Sequence, residues 1–247
     1  MTTLKVGIVG TGRVAAGNYL PCLVKEPGVA LGYYSRTPAA AEACAARFGG
    51  QVFDSPAALL DWQPDTVLVL TRETQRLEAA RALLAHRPRR LFFEKPLVAR
   101  GGQENVTEQD FLDGRDILQQ AERIGCQTAM VFNYRFFEHA LIARRAIAER
   151  DFGRALNVSV LTHYACWSHC IDLAHLFAGP IAEITALQGR DERAVPAAGG
   201  MRARDVAAAF RTHGDASGTL IGTTGLAWAF PLFEITVNFE RGRIRLQ

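Results

Sequence analysis

The chain has no apolar run approaching the roughly 20 residues that a helix needs to cross a bilayer, so no membrane-spanning helix is expected. It has no large excess of one charge. Its 28 Lys and Arg against 25 Asp and Glu leave a net +3, which excludes the strongly basic faces used on nucleic acid or membrane surfaces. The one basic run, His86-Arg87-Pro88-Arg89-Arg90, reads as a solvated helix end and turn. Cysteine is sparse and odd in number: Cys22, Cys44, Cys126, Cys166 and Cys170 are scattered. That pattern excludes a paired disulfide framework and is expected of free thiols in a reducing, cytoplasmic setting. The opening MTTLKVGIVG has no charged segment ahead of an apolar one, so no secretory signal is expected. The Asn-x-Ser/Thr matches at Asn105 and Asn157 then carry no meaning. At 247 residues and 49% hydrophobic, the chain has material for one large domain or two modest ones.

What is present in the first half is alternation. Residues 4–9 form a short β-branched run, followed by Gly10-Thr11-Gly12-Arg13-Val14-Ala15 and a helical stretch to about 26. This is a G-x-G-x-x-A turn between strand and helix. Gly10 allows the turn, Gly12 leaves space for a pyrophosphate, and Ala15 lets the helix pack close. The amides that open the helix, around Arg13 and Val14, face the phosphates. A second strand, 29–34, ends in Ser35-Arg36-Thr37-Pro38, and no Asp or Glu occurs from 29 to 41. An acid there would bind both ribose hydroxyls of NAD, whereas an arginine suits the 2′-phosphate of NADP by charge and forked donors. NADP is therefore expected, with NAD the other option and Ser35 and Arg36 as phosphate ligands. A helix over 39–48, a short strand at 52–53, a strand at 66–70, a helix at 75–85 and a strand at 91–93 follow. Thr71 falls at a strand's carboxyl end, beside the cofactor. Glu94-Lys95-Pro96 closes the next strand, at the position where open α/β sheets hold ligands. The polar stretch 100–110 reads as a loop ahead of a helix over 111–124, and a last strand covers 126–132. The rhythm implies a doubly wound parallel sheet.

The second half changes pattern. A helical repeat over 137–150 leads to a strand at 156–162 and a helix at 168–177. In that helix His169 and Asp172 are three residues apart and can share a face, an arrangement suited to general acid–base work. His163, Cys166, His169, Cys170 and His175 crowd the same stretch, but no second cysteine pair exists elsewhere and no metal site is expected. Strands at 182–188, 205–212, 216–224, 232–239 and 243–246 complete a six-stranded, mostly antiparallel sheet, with tight turns at Gly214-Asp215 and Arg241-Gly242.

Four features in order now stand out: the G-x-G-x-x-A turn, Glu94-Lys95-Pro96, Phe132-Asn133-Tyr134-Arg135-Phe136, and Ser168-His169-Cys170-Ile171-Asp172. Together they resemble the Gfo/Idh/MocA-type NAD(P)-dependent oxidoreductases, of which this would be a short member. The resemblance implies an α/β fold: an N-terminal Rossmann doubly wound parallel sheet, residues 1–132, plus a C-terminal α+β domain with an open, mostly antiparallel sheet, residues 133–247. It implies that Lys95 hydrogen-bonds the reacting oxygen and that Pro96 shapes the turn beneath the nicotinamide. His169 matches an acid/base or substrate-orienting histidine, and Asp172 a second acid that orients it. The family's acid four residues before that histidine falls on Ala165. Gly10, Gly12, Arg13, Val14, Ser35, Arg36, Thr71, Glu94 and Lys95 are the expected cofactor residues, and Tyr134 and Arg135 the expected pocket residues.

The expected function is hydride transfer between a nicotinamide and a hydroxyl- or carbonyl-bearing carbon of a sugar-like or cyclitol-like molecule. Ala165 and the short second half motivate the alternative of a catalytically silent dinucleotide-binding sensor or partner subunit. An open sheet face in the second domain would expose a large apolar patch, so a homo-oligomer, a dimer or larger, is expected through it.

Overall fold

The computed structural model describes residues 3–195, 201–224 and 232–247, which divide into two units, 1–131 and 132–247. In the first unit six short segments form strands, with the buried residues in the four central ones and none in the two edge strands. The six are β1 (Leu4–Val9), β2 (Val29–Tyr34), β3 (Gln51–Val52), β4 (Thr66–Val69), β5 (Arg90–Phe93) and β6 (Gln127–Met130). They pair in the order β3-β2-β1-β4-β5-β6, and every pair is parallel. The order reverses direction on either side of β1, so the β1–β4 crevice is the switch point where such sheets bind ligands.

The connecting helices start where capping chemistry allows. A π-helical segment, Ala15–Tyr19, runs into α1 (Leu20–Leu23), so the first helix stops short of residue 26. Pro38 opens α2 (Pro38–Phe48), and Gly49, at φ +72°, closes it. Ser55 Oγ accepts from the Ala58 amide at 3.1 Å to cap α3 (Pro56–Asp61). Next come α4 (Glu73–Leu84) and α5 (Glu108–Arg123). One face of the sheet packs Ile8, Leu20, Leu31 and Tyr33; the other packs Val9, Leu83, Leu91, Phe93 and Ile117.

The stretch 100–110 corrects the sequence reading. It is partly helical, because α5 begins at Glu108 through a reciprocal capping box between Thr107 and Asp110. Asp110 is buried, and its carboxylate accepts from the amides of Arg100 (3.0 Å) and Thr107 (2.9 Å). Asp113 beside it meets Arg100 at 3.3 Å and Arg81 of α4 at 3.3 Å. Polar composition marked 100–110 as loop, whereas Asp110 in it serves as an internal fastener.

In the second unit a 3-10 turn, Asn133–Phe136, precedes α6 (Glu138–Glu149), β7 (Ala155–His163), a second 3-10 turn (Tyr164–Cys166) and α7 (Trp167–Ala178). Then follow β8 (Ile181–Gln188), β9 (Arg193–Val195), β10 (Met201–Ala203), β11 (Val206–Thr212), β12 (Ser217–Thr223), β13 (Phe233–Phe239) and β14 (Arg243–Leu246). The main sheet runs β14-β13-β7-β12-β11-β8; only the β7–β12 pair is parallel. β9 and β10, which the sequence pattern did not suggest, form a separate antiparallel pair. Period-two alternation sends Val158, Val160, Phe210, Leu220, Ile235 and Val237 inward, where Ala140 and Ala143 of α6 and Leu173 and Phe177 of α7 cover them. The opposite face keeps Leu187 (77%) and Ile221 (45%) exposed, flanked by the surface pairs Arg211–Glu183 and Arg245–Glu234.

The Arg100 and Thr107 amides hold the Asp110 carboxyl at about 2, below its usual range, so its contribution is full above the ordinary aspartate pKa and is lost as pH falls through about 2. Asp110→Ala is therefore expected to lose about 2 kcal/mol at pH 7 in urea unfolding. Its deficit against the parent chain should shrink steadily below about pH 4; a deficit independent of pH would show that the cap is not ionic.

Candidate functional site

The turn after β1 is shaped by two glycines with different surroundings. Gly10 sits at φ +94°, and a Cβ there would lie 2.6 Å from the Thr71 backbone nitrogen. Only glycine fits where β1 and β4 end side by side. A Cβ on Gly12 would meet nothing within 4 Å, so that side of the turn is open. Ala15 is fully buried, which brings the helix close to the sheet. Arg13 is exposed and Val14 half-buried on the first helical turn. The hydroxyls of Thr11 and Thr71 are buried beside this turn without a hydrogen-bond partner. An open glycine turn, helix-start amides and two unsatisfied hydroxyls fit a nucleotide pyrophosphate.

At the carboxyl end of β2, Ser35 Oγ accepts from the Thr37 amide at 3.3 Å. Arg36 is solvent-exposed and lies 3.5 Å from Glu78 of α4. Such exposed pairs contribute little and yield readily to a stronger anion.

The ends of β4 and β5 are tied together by a residue that the sequence did not single out. Arg76 of α4 is 3% exposed, and its guanidinium donates to the carbonyls of Thr71 and Pro96. Burial lowers its pKa, and the neighbouring charges of Glu94 and Glu73 oppose that shift. Glu94 uses both carboxylate oxygens: Oε1 accepts from Tyr19 Oη at 2.6 Å and Oε2 from the Lys95 amide at 2.8 Å. Lys95 and Pro96, joined by a cis peptide, are half-buried at this strand end. Lys95 thus sits on a backbone held on both sides. Neither Tyr19 nor Arg76 carried a local signal, since both looked like ordinary residues on helices.

In the second unit, Tyr134, Arg135, His169 and Asp172 come together. Arg135 grips Asp172 with both arms of its fork: Nε donates to Oδ2 at 2.9 Å and Nη2 to Oδ1. Asp172 is 7% exposed. Arg135, expected as a pocket residue, is a partner of Asp172. The imidazole of His169 stacks on Tyr134, with centroids 4.3 Å apart and planes at 10°, and meets the edge of Phe132 at 6.0 Å. Tyr134 also stacks on Phe137 at 4.8 Å, and its hydroxyl lies 3.3 Å from Cys166 Sγ. Burial and Cys166 push that phenol's pKa up. Tyr134, Phe137, His139, Cys166 and Phe233 line a cavity of about 130 Å³. Among the described residues no group of three or more His, Cys, Asp or Glu is placed to hold a metal.

Comparison with known proteins agrees with this layout. Residues 4–131 match the family described as "Oxidoreductase family, NAD-binding Rossmann fold". A curated relative, glucose-6-phosphate 3-dehydrogenase of Bacillus subtilis, is 23% identical over 156 residues, 63% of this chain and 41% of its own length. The chain thus spans about two fifths of that relative. The structure of the WlbA dehydrogenase from Bordetella pertussis, in complex with NADH and UDP-GlcNAcA, superimposes with a TM-score of 0.76 at 21% identity, covering 99% of this chain and 73% of that one. A myo-inositol dehydrogenase from Corynebacterium glutamicum gives 0.75 at 14% identity, covering 99% and 75%. These likenesses establish the fold of both sheets.

The Arg135–Asp172 pair yields a double-mutant test. Arg135→Met leaves a buried carboxylate without its partner and is expected to cost about 3 kcal/mol in urea unfolding. Arg135→Met with Asp172→Leu should recover most of that loss. Equal losses in the single and double variants would mean that the pair does not fasten the 3-10 turn to α7.

Proposed function

The chain belongs to the oxidoreductase family with an NAD-binding Rossmann fold, and we propose that it is an NAD(P)-dependent dehydrogenase or reductase acting on the CH–OH or C=O group of a sugar-like or cyclitol-like small molecule. The observation that carries the reading is the lysine at the end of β5. Lys95 stands on a braced backbone in the sheet whose Gly10–Gly12 turn is open to a pyrophosphate. The relatives named above act on phosphorylated sugars or inositol by their names, which favours an oxidoreductase over a silent binding subunit.

In this reading Gly10, Gly12, Arg13 and Val14 present backbone to the pyrophosphate, and Thr71 borders the cofactor at the end of β4. The nicotinamide, when bound, supplies or accepts the hydride. Lys95 donates a hydrogen bond to the reacting oxygen and stabilises the charge that develops there. His169 relays the proton. Glu94 acts by holding the Lys95 amide, and Asp172 by holding Arg135, which seats Tyr134 on His169. In this reading residues 1–132 form the dinucleotide-binding domain and supply Lys95, and residues 133–247 form the substrate and oligomerisation domain.

The proposal extends to the cofactor, the setting and the assembly. Ser35 and Arg36, with no acid from 29 to 41, favour NADP over NAD. Five free thiols and the absence of any long apolar helix among the described residues support a cytoplasmic setting. The exposed Leu187 and Ile221 support a homo-oligomer through the outer sheet face.

Parallel fluorescence titrations with NADPH and NADH test the first part. NADPH should bind more tightly, and Arg36→Ala should weaken NADPH by about ten-fold while leaving NADH unchanged. Equal affinities, or tighter binding of NADH, would remove the role of Arg36, and no binding of either would remove the reading. Turnover of glucose 6-phosphate, myo-inositol and UDP-GlcNAcA with either dinucleotide tests the second part. Lys95→Ala should lower kcat by about 10²–10³-fold on any substrate accepted.

A further inference from the structure

Three side chains around Lys95 form one connected set, drawn from three separate elements. Tyr19 lies in the π-helical segment that follows the phosphate-binding turn, Arg76 in α4 and Glu94 at the end of β5. A π-type turn carries one extra residue per hydrogen-bonded ring, and such segments recur at functional sites. Here that winding brings the Tyr19 phenol onto Glu94 Oε1 at 2.6 Å, while Glu94 Oε2 holds the amide of Lys95 itself at 2.8 Å. Arg76 holds the carbonyl of the next residue, Pro96, together with that of Thr71 at the end of the neighbouring strand β4.

We infer that Tyr19, Glu94 and Arg76 are positioning residues that fix the backbone on both sides of Lys95 and link it mechanically to the dinucleotide-binding turn. The inference rests on the reading of Lys95 as the group that holds the reacting oxygen. None of the three touches the reacting atoms in this scheme; each acts through the chain at Lys95. Their chemistry suits the task. The buried guanidinium of Arg76 places a positive charge near Glu94, a carboxylate accepts strongly from both a phenol and an amide, and the phenol is planar and loses little freedom on being fixed. Reacting groups must be held within a fraction of an ångström for the geometry to count, which a strand end alone does not ensure.

The test uses a property of the composition. The chain has three lysines, Lys5, Lys25 and Lys95, so reductive ¹³C-methylation gives a sparse spectrum in which Lys95→Arg assigns the Lys95 signal. Tyr19→Phe removes one hydrogen bond and keeps the ring. It is expected to move and broaden the Lys95 resonance and to leave Lys5 and Lys25 in place, with thermal stability close to that of the parent. On a substrate that the parent turns over, kcat should fall by about ten-fold with KM for substrate and dinucleotide within about two-fold. Tyr19→Phe added to Glu94→Gln should cost nothing further, because Tyr19 acts through Glu94. A Lys95 resonance that superimposes on the parent's overturns the inference, as do additive losses in the double variant. Absence of turnover in the parent chain across the substrate panel would instead count against the enzyme reading, and the lysine spectrum would still decide the network.

Discussion

A charged guanidinium buried at the switch point of the first sheet sets the terms for the rest of the site. Removing an arginine from water costs several kcal/mol unless its donors and its charge are both met. Arg76 meets them with two carbonyls, at Thr71 and Pro96, and with the nearby charges of Glu94 and Glu73. The same bonds tie the ends of β4 and β5 to each other, beside the β1–β4 crevice. Gly10 adds a second constraint from the other side, since any Cβ there would collide with the Thr71 nitrogen. The ends of β1, β4 and β5 are thus locked to one another by sterics and by charge, and Lys95 inherits its position from both.

The same device recurs away from the crevice. Arg100 closes on Asp110 and Asp113 where the turn after β5 meets α5, and Arg135 closes on Asp172 where a 3-10 turn meets α7. In each case a loop without its own core is fastened to a helix by a forked cation on a buried carboxylate. Arginine suits this role better than lysine, because its planar fork engages two oxygens at once and its charge survives burial. Most of the chain's 28 basic residues are arginine, in keeping with that use. The ordinary hydrophobic clusters on either side supply the bulk of the stability, while these pairs decide where the loops lie.

Much of this was legible in the sequence because it depends on local signals. The parallel alternation, the glycine turn, Glu94-Lys95-Pro96 and the hairpins at Asp215 and Gly242 each follow from residues within a few positions of one another. What stayed hidden depends on long-range partners. Arg76 lies on a helix rich in charge, and nothing nearby says that its face turns inward toward Pro96, 20 residues on. Asp172 and Arg135 are 37 residues apart, so the shared helix face of His169 and Asp172 was visible while the Arg135 bond to Asp172 was not. Asp110 looked like loop because its polarity was read without the Arg100 and Thr107 amides that it satisfies. The short β9–β10 pair has too few residues for a period-two pattern to register.

The departure at position 165 takes on a different weight once the second unit is described. A catalytic histidine needs its ring plane and its height above the sheet fixed, and a neighbouring carboxylate is one way to fix them. Here the imidazole of His169 lies flat on Tyr134 with its planes 10° apart, and Phe132 meets it edge-on. Tyr134 is itself fixed by Phe137 on its ring and Cys166 at its hydroxyl, and its neighbour Arg135 is anchored to Asp172 one turn along α7 from His169. Stacking constrains the ring plane while leaving the basicity of the nitrogens to their own polar neighbours, so orientation and proton affinity are separately adjustable in this arrangement. A histidine held this way does not require an acid four residues earlier in order to be oriented. With alanine at position 165, the ring plane of His169 is set by aromatic packing on Tyr134 and Phe132.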